Sequence, residues 1–155
     1  YTMKGQLDVI VRKKEVYDGA TPSGNAVMAQ NLQYLGRVFA KPEWIERMNQ
    51  MLSALFPAIT KYPTSFGAWA LTMQAEVVGW KEIALMGNGA CKYLPLVLER
   101  FSPNKILQCG ETKADEFPLL SGKTPKNGEV VFYICQNFAC RDYTTEKIID
   151  FLAIV

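Results

Sequence analysis

"VVGWKEIALMG", Val77 to Gly87, is the stretch on which the fold turns. Before it the apolar residues recur at helical spacing. Here a β-branched and aliphatic run leads into the Gly87-Asn88-Gly89 turn, and it reads as a strand. A short helix through Leu94, Leu98 and Phe101 follows. A second short strand comes next, "KILQCG" (Lys105–Gly110), and then a polar connection through Pro118 and Pro125. A third strand, "EVVFYIC" (Glu129–Cys135), closes the series. Strand, helix, strand predicts a right-handed parallel crossover. Thr144 or Thr145 is placed to cap a final helix with Ile148, Ile149 and Leu152 inward.

Upstream the pattern is helical. Met28, Leu32, Leu35 and Phe39 form one stripe of a helix from about Asn25 to Phe39. Pro42 suits a first helical turn, and Ile45, Met48, Leu52, Leu55 and Ile59 repeat at three and four. Pro63 opens a third helix with Phe66, Trp69, Ala70 and Met73 inside. The short connections make neighbouring helices antiparallel. "LDVIVRKKEV", Leu7 to Val16, reads as an extended edge segment. The predicted fold class is therefore α+β: antiparallel helices over residues 1–76, then a small βαβ-type lobe over 77–155 with about three strands and a C-terminal helix. The two are expected to pack as one unit.

Composition narrows the function. The 155 residues are 49% hydrophobic and 21% charged, an ordinary globular profile. A net charge of +2, with Arg12-Lys13-Lys14 offset by Glu15 and Asp18, gives no footprint for nucleic acid or for a membrane surface. No apolar run is long enough to span a bilayer and no basic-then-apolar signal segment opens the chain, so a cytoplasmic setting is the default. The abrupt opening at Tyr1 reads as a piece of something longer. The chain contains no histidine, which removes Ser-His-Asp and Cys-His catalysis, and most zinc sites, from what it does by itself. No catalytic residue, metal or cofactor is assigned. The four cysteines, Cys91, Cys109, Cys135 and Cys140, are too few and too irregularly spaced for a disulfide scaffold.

Two places carry candidate chemistry. "YDGATPSGNA", Tyr17 to Ala26, gathers special-geometry residues just before a helix. One reading is capping: Ser23 or Asn25 satisfies the orphan amides, and Asp18 complements the helix dipole. The other groups Asp18, Ser23 and Asn25 around a polar pocket for an anionic or hydroxyl-rich ligand. The second place is "CQNFAC", Cys135 to Cys140, at a strand end. The pair is either two small buried hydrophobes or, where the turn brings the α-carbons close enough, a disulfide. Glu43, Glu46, Glu76 and Glu82 offer carboxylates, but the sequence fixes no two of them relative to each other.

"YDGATPSGNAVMAQNL", Tyr17 to Leu32, resembles the C-terminal end of the thioredoxin-domain-containing family related to spermatogenesis-associated thioredoxin-like protein, in which a D-G-A-x-P-S-G-N segment opens a late helix. The family's tail also carries a tyrosine-x-cysteine strand end with a second cysteine about five residues on, corresponding here to Tyr133, Cys135 and Cys140. Where the family often has a proline soon after that cysteine, this chain has Arg141-Asp142-Tyr143. The resemblance implies an N-terminal thioredoxin-like domain and an (α/α)6 toroid akin to six-hairpin glycosidases, of which this chain would hold the last part. It then places Asp18, Ser23 and Asn25 toward a sugar-type pocket of the whole protein. The leading expectation is a fragment that is non-catalytic alone, partnered by the rest of its parent or by itself in a homo-oligomer. The alternative is a thiol redox module using Cys135 and Cys140.

Overall fold

The computed structural model describes residues 14–125, 128–136 and 139–155. The edge segment expected over 7–16 lies outside the described residues except for its last three. Helix α1 spans Gly24–Val38, α2 Pro42–Lys61 and α3 Gly67–Val78, the last entered through a single 3₁₀ turn at Pro63–Ser65. Strand β1 (Lys81–Met86) follows, then a 3₁₀ turn and the short helix α4 (Leu94–Leu98). Strand β2 (Lys105–Gly110) comes next. The chain ends with β3 (Val131–Gln136), β4 (Ala139–Thr144) and α5 (Ile148–Ile154). The α+β order is as expected. The sheet has four strands, because the residues after Cys140, which carry no apolar alternation, pair back on β3 as β4.

The strand order is β2-β1-β3-β4. β1 and β2 run parallel across the α4 crossover, whereas β3 is antiparallel to both β1 and β4. Each face covers a separate core. Ile83, Leu85, Phe132 and Ile134 point to α4 and α5 and pack with Val97 and Phe151. Ala84, Met86 and Ile106 point the other way, where Leu119 and Leu120 of the long β2–β3 connection cover them.

β1 begins at Lys81, not at Val77 as the residue types suggest. Val77 and Val78 complete α3 instead, and Gly79, at φ 87, ends it. Val77 is 83% exposed, so strand propensity finds no packing there to act through. The α3 residue Ala75 is buried and Glu76 is held by α1, which keeps the helix running.

The helical part departs from its pattern in one instructive way. α2 buries Met48, Leu52 and Ile59, as its stripe predicts. α1 instead buries Ala26, Ala29, Gln33 and Gly36, and its Met28, Leu35 and Phe39 are exposed. Small residues let the helices approach closely. A β-carbon on Gly36 would lie 2.7 Å from Ile45 Cδ1. In α5, likewise, Phe151 is the buried residue and Ile149 is solvent-facing. The threonines expected to cap α5 make no capping hydrogen bond, because a 3₁₀ turn at Thr145–Lys147 precedes the helix.

Candidate cleft beside a hairpin disulfide

The turn before α1 comes together as the sequence suggests, and its polar atoms go to the chain's own backbone. Ser23 is the N-cap: its Oγ accepts from the Ala26 amide at 3.2 Å and donates to the Val16 carbonyl at 3.2 Å. Asn25 Nδ2 donates to the Glu15 carbonyl. Asp18 reaches further. Its Oδ1 accepts from the Ser23 amide and its Oδ2 from the Ala68 amide, both at 2.8 Å, so one carboxylate ties the approach to α1 to the first turn of α3. Trp69 Nε1 donates to the Val16 carbonyl at 2.9 Å and closes the same knot. Asp18, Ser23 and Asn25 thus share one neighbourhood.

The cysteines are all paired. Cys135 and Cys140 form a disulfide directly across the β3–β4 hairpin, with α-carbons 4.0 Å apart. Cys91 and Cys109 form a second one, linking the turn after β1 to the end of β2 with α-carbons 5.4 Å apart. This corrects the expectation from spacing: the parallel crossover and the hairpin bring together residues whose separation in sequence carries no such signal. It also replaces the alternative of two buried free thiols. Cys135 is buried and Cys140 exposed, so the hairpin bond has one accessible sulfur-bearing residue.

Strand register builds a row beside that bond. Ile106 of β2 pairs with Glu82 of β1, Glu82 with Cys135 of β3, and Cys135 with Cys140 of β4. Directly paired residues project to one face. The row therefore puts a carboxylate next to the disulfide on the face turned toward α1 and α2, opposite to α4 and α5. Two adjoining clefts of about 360 and 330 Å³ open there, and both are lined by Arg37, Glu82 and Lys123. Trp80, Cys135, Gln136 and Cys140 complete the second.

The charges in the cleft differ in how far they are committed. Arg37 is spent: it grips both Glu76 oxygens at 2.8 Å, donates to the Gln33 carbonyl and stacks 4.9 Å from the Trp80 ring centroid. Gln33, buried, donates to Glu76 and to the Thr72 carbonyl, so this network also locks α1 to α3. Lys123 donates to the Leu119 carbonyl at 2.7 Å and sits 6.0 Å from the Tyr133 ring. Burial pushes its ammonium below the ordinary lysine range, and the Glu82 charge pulls it partly back. Trp80 Nε1 is buried without a protein acceptor.

Sequence reasoning flagged Cys135, Cys140 and Glu82 separately and missed Arg37, Trp80 and Lys123. Strand alternation puts Glu82 on the face of Ala84 and Met86, a signal present in the sequence. Nothing in the sequence sets β1 against β3.

Among the described residues no helix is long and apolar enough to cross a membrane. No family model matches the chain, and no solved structure does. Four curated relatives align with most of it, three of them as follows. Spermatogenesis-associated protein 20 of Mus musculus is 28% identical over 142 residues, 86% of this chain. Its Homo sapiens counterpart is 26% identical over 139 residues, or 84%. An uncharacterised protein of Caenorhabditis elegans is 24% identical over 143 residues, or 88%. The chain spans 18% of the length of the mouse and human proteins and 20% of the nematode one. Over most of its length, then, this chain is homologous to spermatogenesis-associated protein 20.

Proposed function

We propose that the chain is a thiol–disulfide exchange module of a larger protein related to spermatogenesis-associated protein 20, with the Cys135–Cys140 pair as its reactive bond. One observation carries the reading: the bond lies at a hairpin end, with an exposed Cys140, in the wall of a cleft that also holds cations. An incoming thiolate attacks the Sγ of one cysteine, the S–S bond breaks, and the other cysteine leaves as thiolate. A second thiolate attacks the incoming sulfur of the mixed disulfide and frees the first cysteine. Two thiols are oxidised to one disulfide and the protein bond is reduced to two thiols. Lys123, in the wall of the same cleft, favours the thiolate that leaves. The family resemblance implies a thioredoxin-like domain elsewhere in such a protein, one source of an attacking thiol. The turn at Asp18–Asn25 is not put forward as a ligand site, because its polar atoms serve the backbone.

Differential alkylation with mass spectrometry tests this on native protein. Under graded reductant Cys135 and Cys140 are expected to label well before Cys91 and Cys109. Cys140→Ser leaves Cys135 a free thiol, so labelling at Cys135 should no longer depend on reductant. If the hairpin pair opens only with global unfolding, it is a structural staple and the reading fails.

A second reading concerns partners and rests on the exposed α1 stripe. Met28 and Leu35 of α1 and Phe39 just past its end are 52%, 38% and 48% exposed along one stripe. In the parent protein this face packs on a neighbouring helix. Alone, the chain is expected to self-associate through it, so light scattering should give a dimer or larger species. Met28→Lys with Leu35→Lys should return a monomer. A wild-type monomer at high concentration would overturn this reading.

A further inference from the structure

The cleft beside the hairpin disulfide presents one carboxylate, Glu82, and one ammonium not paired in a salt bridge among the described residues, Lys123. The Glu82 side chain makes no hydrogen bond to protein among the described residues, and the residue sits next to Cys135 in the strand register. Lys123 has a single hydrogen bond, to the Leu119 carbonyl, leaving two of its three N–H donors for another group. Both residues line both clefts, and Cys135 and Cys140 form the wall of one of them. Such a site complements a molecule carrying both charges, not a simple anion. Arg37 adds little to the balance, being saturated by Glu76.

We infer that the cleft is a binding site for a small zwitterionic amino-acid thiol, whose ammonium pairs with Glu82, whose carboxylate pairs with Lys123, and whose sulfur faces the Cys135–Cys140 bond. The spacing suits a thiol on the β-carbon. Directly opposed strand residues have α-carbons about 4.5–5.5 Å apart. In a 2-amino-3-thiol skeleton the amine nitrogen and the sulfur are three bonds apart. Glu82 neighbours Cys135 in the register and lines the same cleft, so an amine held there puts the ligand at the Cys135 end of the bond. At about 330 Å³ the cleft is at the small end of ligand sites, sized for an amino acid or a short peptide thiol and not for a folded domain. The aliphatic part of such a ligand would lie along Trp80, which lines the same cleft.

This inference rests on the exchange reading above and specifies its co-reactant. The electron balance is that of two thiols giving one disulfide, so the reductant is the amino-acid thiol itself. Four thiols separate the contributions: cysteine, cysteamine without the carboxylate, 3-mercaptopropionate without the amine, and uncharged 2-mercaptoethanol. Each is assayed for reduction of Cys135–Cys140 in the native chain and, in parallel, for reduction of a small soluble disulfide that corrects for intrinsic thiol reactivity. After that correction cysteine is expected to lead 2-mercaptoethanol by about tenfold, the value of one good charge-assisted contact, with the two half-ligands between.

Glu82→Gln should remove the advantage of cysteine over 3-mercaptopropionate, and Lys123→Met its advantage over cysteamine. Circular dichroism of both variants confirms that they fold. Corrected rates that are equal for all four thiols overturn this inference and leave the exchange reading standing. A protein dithiol such as thioredoxin that reacts far faster than cysteine, with no charge selectivity among the small thiols, also overturns it. Failure of every thiol to reduce the native pair overturns both.

Discussion

Phe132→Ala is expected to destabilise the fold by about 4 kcal/mol, the range for removing a fully buried aromatic ring. Phe132 has no solvent exposure and sits in β3, an interior strand of the sheet. Its ring centroid lies 5.2 Å from Tyr93, edge-on at 85°, and 5.1 Å from Phe151. Deleting it strips packing from the crossover and from α5 at once. For a chain of 155 residues the loss corresponds to a melting temperature lower by about 10 °C. Urea and thermal unfolding measure it directly. Phe132→Leu, which keeps most of the volume, should cost much less. A loss below about 1 kcal/mol for the alanine variant would mean that α5 is not packed on the sheet as described. Cys135 lies on the opposite face of the same strand, so the variant should also make the hairpin disulfide reducible more readily.

Asp18→Ala is expected to cost about 3 kcal/mol, because it removes two charge-assisted hydrogen bonds to backbone amides. The amides of Ser23 and Ala68 are the ones left without a partner. Asp18→Asn retains one carbonyl oxygen as an acceptor and should cost roughly half as much. Ser23→Ala, which removes the N-cap hydroxyl alone, should cost about 1 kcal/mol. Denaturant unfolding gives the totals. Amide hydrogen exchange at Ala68 and Ser23 shows whether the loss is local to the knot. A change within about 0.5 kcal/mol for Asp18→Ala would show that water replaces the carboxylate without loss, and that the turn is held by Trp69 instead.

The two proposals about chemistry read different parts of one strand row. Exchange needs only Cys135 and Cys140. Selectivity for an amino-acid thiol needs Glu82 and Lys123, which come from the first strand and from the loop that covers the sheet. The second disulfide provides an internal control. Cys91–Cys109 belongs to the other face, where Cys109 packs against the core formed with Phe132 and Phe151, and it closes a loop 18 residues long. A disulfide of that loop length stabilises mainly by restricting the unfolded chain.

Local signals determined a good deal of this protein from the sequence alone. The apolar repeat of α2 marked its buried face, because a long amphipathic helix beside a core has one orientation that hides Met48, Leu52 and Ile59. The β2 boundaries followed from a short apolar run flanked by Asn104 and Glu111, and the start of α1 from Ser23, whose hydroxyl needs only an amide three residues on. The α+β order came from the change of period near Glu76.

Tertiary structure decided the rest. α1 turns Ala26, Ala29 and Gly36 inward because close helix approach gains more packing than its larger residues could, and no repeat in the sequence records that choice. Asp18 was visible as an acid near a helix start, but its second partner lies on α3, fifty residues away. The cysteine partners, and the neighbour relation of Glu82 with Cys135, depend on which strands lie side by side. A strand's own residues fix only which face each side chain takes. Pairing and register come from burying both sheet faces at once, a condition set by the whole chain.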